Sequence, residues 1–265
     1  MIDTHAHLTN AQLRDNIQQF LEQATSAGVQ GILTVGTSLE DSLRCLELAQ
    51  RFDPIRAAVG IHPNHCHEAQ AGDWAEIVRL SEAPKVVALG ETGLDRYWHD
   101  CPWEVQLDYF RRHIALSRGT GLPVVIHTRD CADEMLEVLG EESKIGEFPG
   151  VMHAFSASPQ IAQGCIDLGL YISFAGTLTF KNAAEIQSVA KLIPADRLLV
   201  ETDCPYLTPH PFRGQRPNHP AMVRHTLEKL AELRGIASLE LAAQTTQNAH
   251  RLFNRWHTKM PSQLT

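Results

Sequence analysis

The chain has 265 residues, a formal net charge of -8, 43% hydrophobic and 20% charged residues, a composition that argues against disorder and is large enough for a sizeable core. The acidic balance argues against a broad basic surface that coats nucleic acid, because such surfaces need a Lys/Arg excess. It leaves room for a nucleic-acid enzyme whose positive charge comes from bound metal. No apolar run approaches the ~18 residues of a membrane helix, and the N-terminus lacks the basic and apolar regions of an export signal. The six cysteines contain no Cys-x-x-Cys pair, so a cytoplasmic protein with free thiols is expected.

In chain order, Ile2–Leu8 is an apolar-flanked strand carrying His5 and His7, whose spacing of two puts both imidazoles on one face. Asn10–Ala27 has helical apolar spacing and ends at Gly28. Strand and helix then alternate: Gly31–Val35, helix Leu39–Phe52, strand Ile55–Ile61, helix Asp73–Glu82, strand Lys85–Leu89 and helix Trp103–Gly119. The second half repeats the order with strand Leu122–Ile126, helix Cys131–Leu139, strand Gly150–Met152, helix Pro159–Leu168, strand Tyr171–Ala175, helix Asn182–Leu192 and strand Arg197–Val200. Helices Pro220–Arg234 and Leu239–Trp256 close the chain.

Eight such units in roughly 250 residues predict an α/β fold, a (β/α)8 TIM barrel forming a single domain over 1–265. A doubly wound sheet would want a glycine-rich turn after the first strand, where His5-Ala6-His7 stands instead.

A barrel builds its site at the C-terminal ends of its strands. Those ends carry His5 and His7, His62, Glu91, His127, His153 and Asp203. One polar residue there could be a structural group bonded to a backbone carbonyl, and His62 is the member most open to that reading. Two carboxylates and four imidazoles, with His62 set aside, exceed the needs of one tetrahedral ion. Two divalent cations (Mg, Mn or Zn) bridged by Glu91, which lies midway round the barrel, use the set economically.

The segments Ile2-Asp3-Thr4-His5-Ala6-His7-Leu8, Gly60-Ile61-His62-Pro63, Gly90-Glu91-Thr92-Gly93-Leu94-Asp95, Pro123–Asp130 and Leu198–Pro205 resemble the signatures of the TatD family of metal-dependent deoxyribonucleases and hydrolases, within the amidohydrolase-like barrels. The match spans nearly the whole chain in the right order. The resemblance implies that His5, His7 and Asp203 hold one ion, that His127 and His153 hold the other, that Glu91 bridges them, and that His62 lies near a substrate phosphate. Thr9, Asn64 and Cys131 depart from residues frequent in the family and leave the metal set intact.

The expected reaction is hydrolysis of a phosphodiester in single-stranded DNA or RNA, of the 3'-5' exonuclease type, with Glu91 and Asp203 as catalytic groups and Asp203 orienting the attacking water or taking its proton. His62 and Arg129 would bind the phosphate, although Arg129 could equally form a salt bridge at the barrel mouth. The proline-rich stretch from Cys204 to Pro220, with Arg213 and Arg216, is either a rim for an anionic substrate or a stiff connector. At 6% aromatic residues, an extended base-stacking surface is not expected, and contacts should be confined to a strand end inside the cleft. Two other readings remain open from the residues: an amidohydrolase-type enzyme acting on an amide, ester or lactone, and a non-catalytic metal-binding protein.

Overall fold

Strands that are apolar on both faces must be covered on both, and helices returning over one side of a parallel sheet do this when the sheet curls on itself. In the computed structural model, which describes residues 1–256, β1 (Ile2–Ala6), β2 (Gly31–Val35), β3 (Ile55–Val59), β4 (Val86–Asp95), β5 (Val124–Arg129), β6 (Gly150–Met152), β7 (Tyr171–Phe174) and β8 (Leu198–Val200) pair in chain order as one parallel sheet. The helices α1 (Ile17–Ser26), α2 (Leu39–Arg51), α3 (Asp73–Leu80), α4 (Trp103–Thr120), α5 (Ala132–Ile145), α6 (Pro159–Asp167), α7 (Ala184–Leu192), α8 (Val223–Arg234) and α9 (Ser238–Leu252) alternate with them. The result is a single-domain TIM barrel. Residues 257–265, the last of the span expected to form that domain, lie outside the described residues.

The ring closes between β1 and the chain just past β8. Ala6 and Cys204 form a parallel bridge, the Asp203 amide donates to the His5 carbonyl at 2.9 Å, and the His7 amide donates to the Cys204 carbonyl at 2.8 Å. Asp3 reinforces the seam, accepting from the amide and hydroxyl of Thr202 at 2.9 and 2.6 Å. First and last strands are therefore neighbours, as a site shared by His5, His7 and Asp203 requires.

The barrel has an inner and an outer core. Leu33, Val35, Val87, Val125, Val151 and Leu199 pack inside the ring, while the opposite faces of the strands meet the helices through residues such as Ile32, Leu89, Ile126 and Phe174. The lower mouth is stoppered by Phe253 and Trp256. Gly31 makes room for the indole, since a Cβ there would stand 2.6 Å from Trp256 Cζ2.

Several boundaries differ from the expectation. The first helix does not begin at Asn10: the Asn10 side chain accepts from the Gln12 amide, an alternative to helical bonding that Asn readily offers, and α1 starts only at Ile17. Helix α5 continues past Leu139 to Ile145. Strand β4 does not stop at Leu89 nor β5 at Ile126: Thr92, Gly93, Leu94 and Asp95 pair with Ile126, His127, Thr128 and Arg129. Glu91 and His127 thus sit within long strands rather than just past short ones. A 3-10 turn over Pro63–Glu68, unanticipated from the sequence, follows His62. All six cysteines are buried and free.

Candidate metal centre

Each polar strand end is aimed by a local device. His5, near the end of β1, and His7, one residue past it and held by its amide on the Cys204 carbonyl, point together into the barrel mouth. On β4 the register slips between Leu89 and Thr92. Gly90 takes φ +132 in that slip, and the Glu91 amide turns to the Gly36 carbonyl at 2.8 Å. The backbones of Gly60 and Gly90 pass so close that a Cβ on Gly60 would lie 2.6 Å from Gly90 Cα. Two glycines on neighbouring strands, Gly60 just past β3 and Gly90 within β4, therefore let Glu91 project into the centre of the ring. His153 follows β6 directly, and Asp203, at φ +53, lies on the segment that zips against β1.

The side chains converge on Glu91. Its Oε2 faces His5 Nε2 at 3.3 Å and His7 Nε2 at 3.5 Å, and its Oε1 faces His127 Nδ1 at 2.9 Å and His153 Nε2 at 3.0 Å. Asp203 Oδ1 completes the first group, 3.6 Å from His5 Nε2 and 3.4 Å from His7 Nε2. His62 Nε2 is 3.4 Å from Oε1. All six residues anticipated as ligands, and His62, thus converge on one centre, all but the fully buried His5 lining its pocket, although they come from strands spread over the whole chain.

The far nitrogen of each ring reports which nitrogen carries the proton. His7 Nδ1 donates to the Val35 carbonyl at 3.2 Å, His153 Nδ1 to Glu201 Oε1 at 3.3 Å, and His127 Nε2 to Asp95 Oδ2 at 3.0 Å. In the neutral ring each of these bonds leaves a lone pair directed at Glu91 and its neighbours. His62 is wired in the opposite sense. Its Nδ1 accepts from the Asn64 amide at 3.1 Å, so its Nε2 carries the proton and is a donor to the centre. His5 Nδ1 is buried with no hydrogen-bond partner among the described residues.

The electrostatics follow. Burial would raise the Glu91 carboxyl, but the positive charge of the neighbouring imidazoles when protonated, His153 foremost, holds it well below the usual carboxylate range. Asp203 is likewise lowered against the effect of burial, chiefly by the hydrogen bond from the protonated His7 ring. Burial pushes His62 down to about 4, keeping it neutral. Asp3, sealed at the β1 seam, is pushed up to about 8 by burial against the Thr202 bonds. Three sets each bring ligand atoms within 4.8 Å of one another: His5, His7 and Asp203; His5, Glu91 and His153; His62, Glu91 and His127. Imidazole nitrogens and carboxylate oxygens this close, with His7, His127 and His153 backed by a carbonyl or carboxylate on the outer nitrogen, fit a divalent metal site, to which the protonated His62 Nε2 offers no lone pair.

The pocket is about 880 Å³. Arg129 lines it and stacks on Tyr97, its guanidinium carbon 3.6 Å from the ring centroid. It takes part in none of the salt bridges among the described residues, so the alternative of an ion pair at the mouth is not realised. Of the two arginines in the proline-rich stretch, Arg216 lines the pocket, whereas Arg213 stacks on Phe180 at 4.1 Å. Sequence reasoning passed over Asp95 and Glu201, the outer partners of two histidines. Both stand inside the segments that resemble the family signatures, and the signal in the sequence is a second carboxylate close to Glu91 and to Asp203.

A family model described as TatD related DNase matches residues 2–254. The chain belongs to the TatD-related DNase family. A Bacillus subtilis relative named "Uncharacterized metal-dependent hydrolase YabD" is 42% identical over 255 residues, 96% of this chain and 98% of that protein. An Erwinia tasmaniensis relative named "3'-5' ssDNA/RNA exonuclease TatD" is 35% identical over 260 residues, 96% of this chain and 100% of that protein. The crystal structure of YjjV, a TatD homolog from Escherichia coli K12, superposes with a TM-score of 0.90 at 31% identity, covering 96% of this chain and 98% of that one. The protein is a TatD-family metal-dependent hydrolase.

Proposed function

We propose that this TatD-family hydrolase is a nuclease that removes nucleotides from single-stranded DNA or RNA ends in the 3'-to-5' direction, using two divalent cations. The observation that carries the reading is the division of Glu91: one carboxylate oxygen faces His5 and His7, the other His127 and His153. A carboxylate so divided suits a bridge between two cations. One would be held by His5, His7 and Asp203, the other by His127 and His153. Cations held there supply Lewis-acid polarisation of a phosphoryl oxygen and a water made acidic enough to deprotonate near pH 7.

The remaining work falls to this chain's side chains. Asp203, held as a carboxylate, orients the attacking water and accepts its proton. The neutral His62, with its proton on Nε2, donates to a phosphoryl oxygen. Arg129 and Arg216, both without a salt-bridge partner among the described residues and both lining the pocket, offer positive charge to the nucleic-acid backbone in a protein whose net charge is -8. Attack of water on phosphorus forms one P–O bond as the bond to the leaving oxygen breaks; that oxygen takes up the proton that Asp203 accepted from the water, leaves as a hydroxyl, and a nucleotide is released. The Erwinia relative's name points in the same direction.

The test is degradation of end-labelled single-stranded DNA and RNA by chelator-stripped protein reloaded with Mg²⁺, Mn²⁺ or Zn²⁺, beside an acyl ester under the same metals. Metal-dependent laddering from the 3' end that is lost in Glu91→Ala is expected. Turnover of the ester with no cleavage of either strand would overturn the nuclease reading.

A further inference from the structure

Among the described residues, the exposed large apolar side chains include three aromatic ones, Tyr97, Trp98 and Tyr206. Trp98 and Tyr206 line the pocket of the metal centre, and Tyr97 is stacked on a third lining residue, Arg129. An indole half in water costs hydrophobic free energy that a packed one does not. Trp103, five residues on, shows the alternative: it packs against the core beneath the Arg96 guanidinium at 4.0 Å. Trp98 remains 50% exposed.

Its position is nonetheless fixed. Asp95 Oδ1 accepts from the amides of both Tyr97 and Trp98, at 2.8 and 3.1 Å, while Oδ2 of the same carboxylate accepts from His127 at 3.0 Å and from Asn64 at 3.2 Å. One buried carboxylate therefore ties the aromatic loop to a histidine of the metal centre. Tyr97 meets Trp98 edge-on with centroids 5.0 Å apart, and Arg129 braces Tyr97 from the pocket side.

We infer that Trp98, braced by Tyr97 and Arg129, is a stacking platform for one nucleobase of a single-stranded nucleic acid whose backbone enters the metal centre. The inference rests on the nuclease reading and narrows its substrate to strands at least two nucleotides long. Every base has a π-face, so stacking of this kind accepts DNA and RNA alike and is indifferent to sequence. The Arg129 guanidinium beside the platform places positive charge where the phosphate next to the stacked base would lie.

The experiment uses the full chain loaded with Mn²⁺ and single-stranded DNA and RNA decamers, each carrying one abasic residue moved stepwise from the 3' end. In the wild type, one abasic register should raise KM on the order of tenfold over the others. Trp98→Ala should raise KM on the intact strand by a similar factor, affect kcat less than KM, and abolish the register dependence. Trp98→Phe should retain most of both effects. Cleavage without any preferred register, or an unchanged KM in Trp98→Ala, overturns the platform and leaves the nuclease reading standing. If the wild type cuts neither strand, the nuclease reading falls and the platform falls with it.

Discussion

Nε2 of His127 lies 3.0 Å from Oδ2 of Asp95, while Nδ1 of the same ring lies 2.9 Å from Oε1 of Glu91. Burial would raise Asp95, but the bond from His127, the Trp98 amide and Asn64 hold it down to about 2. It is therefore an anion throughout the working pH range, and it orients the imidazole and raises the basicity of the nitrogen that faces the centre. Asp95→Asn keeps the shape and removes the charge. Its affinity for Mn²⁺ should fall about 10- to 100-fold, measured by calorimetric titration, and activity should return at raised metal concentration. Unchanged affinity would show that Asp95 serves only the loop.

His62 and Glu91 should separate by metal content. Because the His62 Nδ1 lone pair is spent on the Asn64 amide, its Nε2 has a proton and no free pair for a cation. His62→Ala should keep the wild-type metal stoichiometry in elemental analysis while losing on the order of 10²-fold in kcat, as removal of a transition-state donor does. Glu91→Gln should lose metal as well as activity. Metal loss in His62→Ala would make His62 a ligand.

His113, on α4, supplies a pH dependence of stability away from the pocket. It is fully buried; its Nδ1 donates to the Tyr109 carbonyl at 2.7 Å, and its Nε2 accepts from the Ile61 amide at 3.2 Å. Burial pushes it down to about 4 from an ordinary 6.5. Above pH 6.5 the ring is neutral in folded and unfolded chains and its contribution is fully present. As pH falls from 6.5 to 4, only the unfolded chain takes up the proton, and on the order of 3 kcal/mol of stability is lost. Urea unfolding at pH 7 and pH 4.5 should show a smaller drop for His113→Gln than for the wild type, although the variant is less stable at pH 7. Equal drops would remove His113 from the account.

Trp256 closes the lower mouth of the barrel. Its indole is 5% exposed and rests on Gly31, and its carbonyl accepts from Arg56 Nε at 2.9 Å. Trp256→Ala should cost about 3 to 5 kcal/mol in urea unfolding, with little effect on metal affinity because the site is at the opposite end. Loss below ~1 kcal/mol would mean that the barrel floor is sealed without it.

Much of this was legible in the chain. Alternating buried strands and amphipathic helices specify a parallel sheet covered on both faces, and the lack of a glycine-rich turn after the first strand, where His5-Ala6-His7 stands, favours the closed barrel over a doubly wound sheet. The donors at strand ends then point to one mouth, and His5, His7 and Asp203 predict the seam that joins β1 to the segment after β8. The aromatic count is an average: 6% over the chain argues against an extended stacking surface but does not locate the three exposed rings gathered at one pocket or stacked on its lining.

What periodicity could not determine was depth and wiring. The reach of Glu91 depends on a register slip and on the close passage of Gly60 and Gly90, both relations between strands rather than along one. Which nitrogen of each histidine is free depends on partners brought from other elements: Val35 for His7, Asp95 for His127, Glu201 for His153 and, in the opposite sense, the Asn64 amide for His62. A residue type states that a ring can bind a cation or donate a proton. Only the neighbour across the barrel decides which, because a hydrogen bond spends one nitrogen and leaves the chemistry to the other.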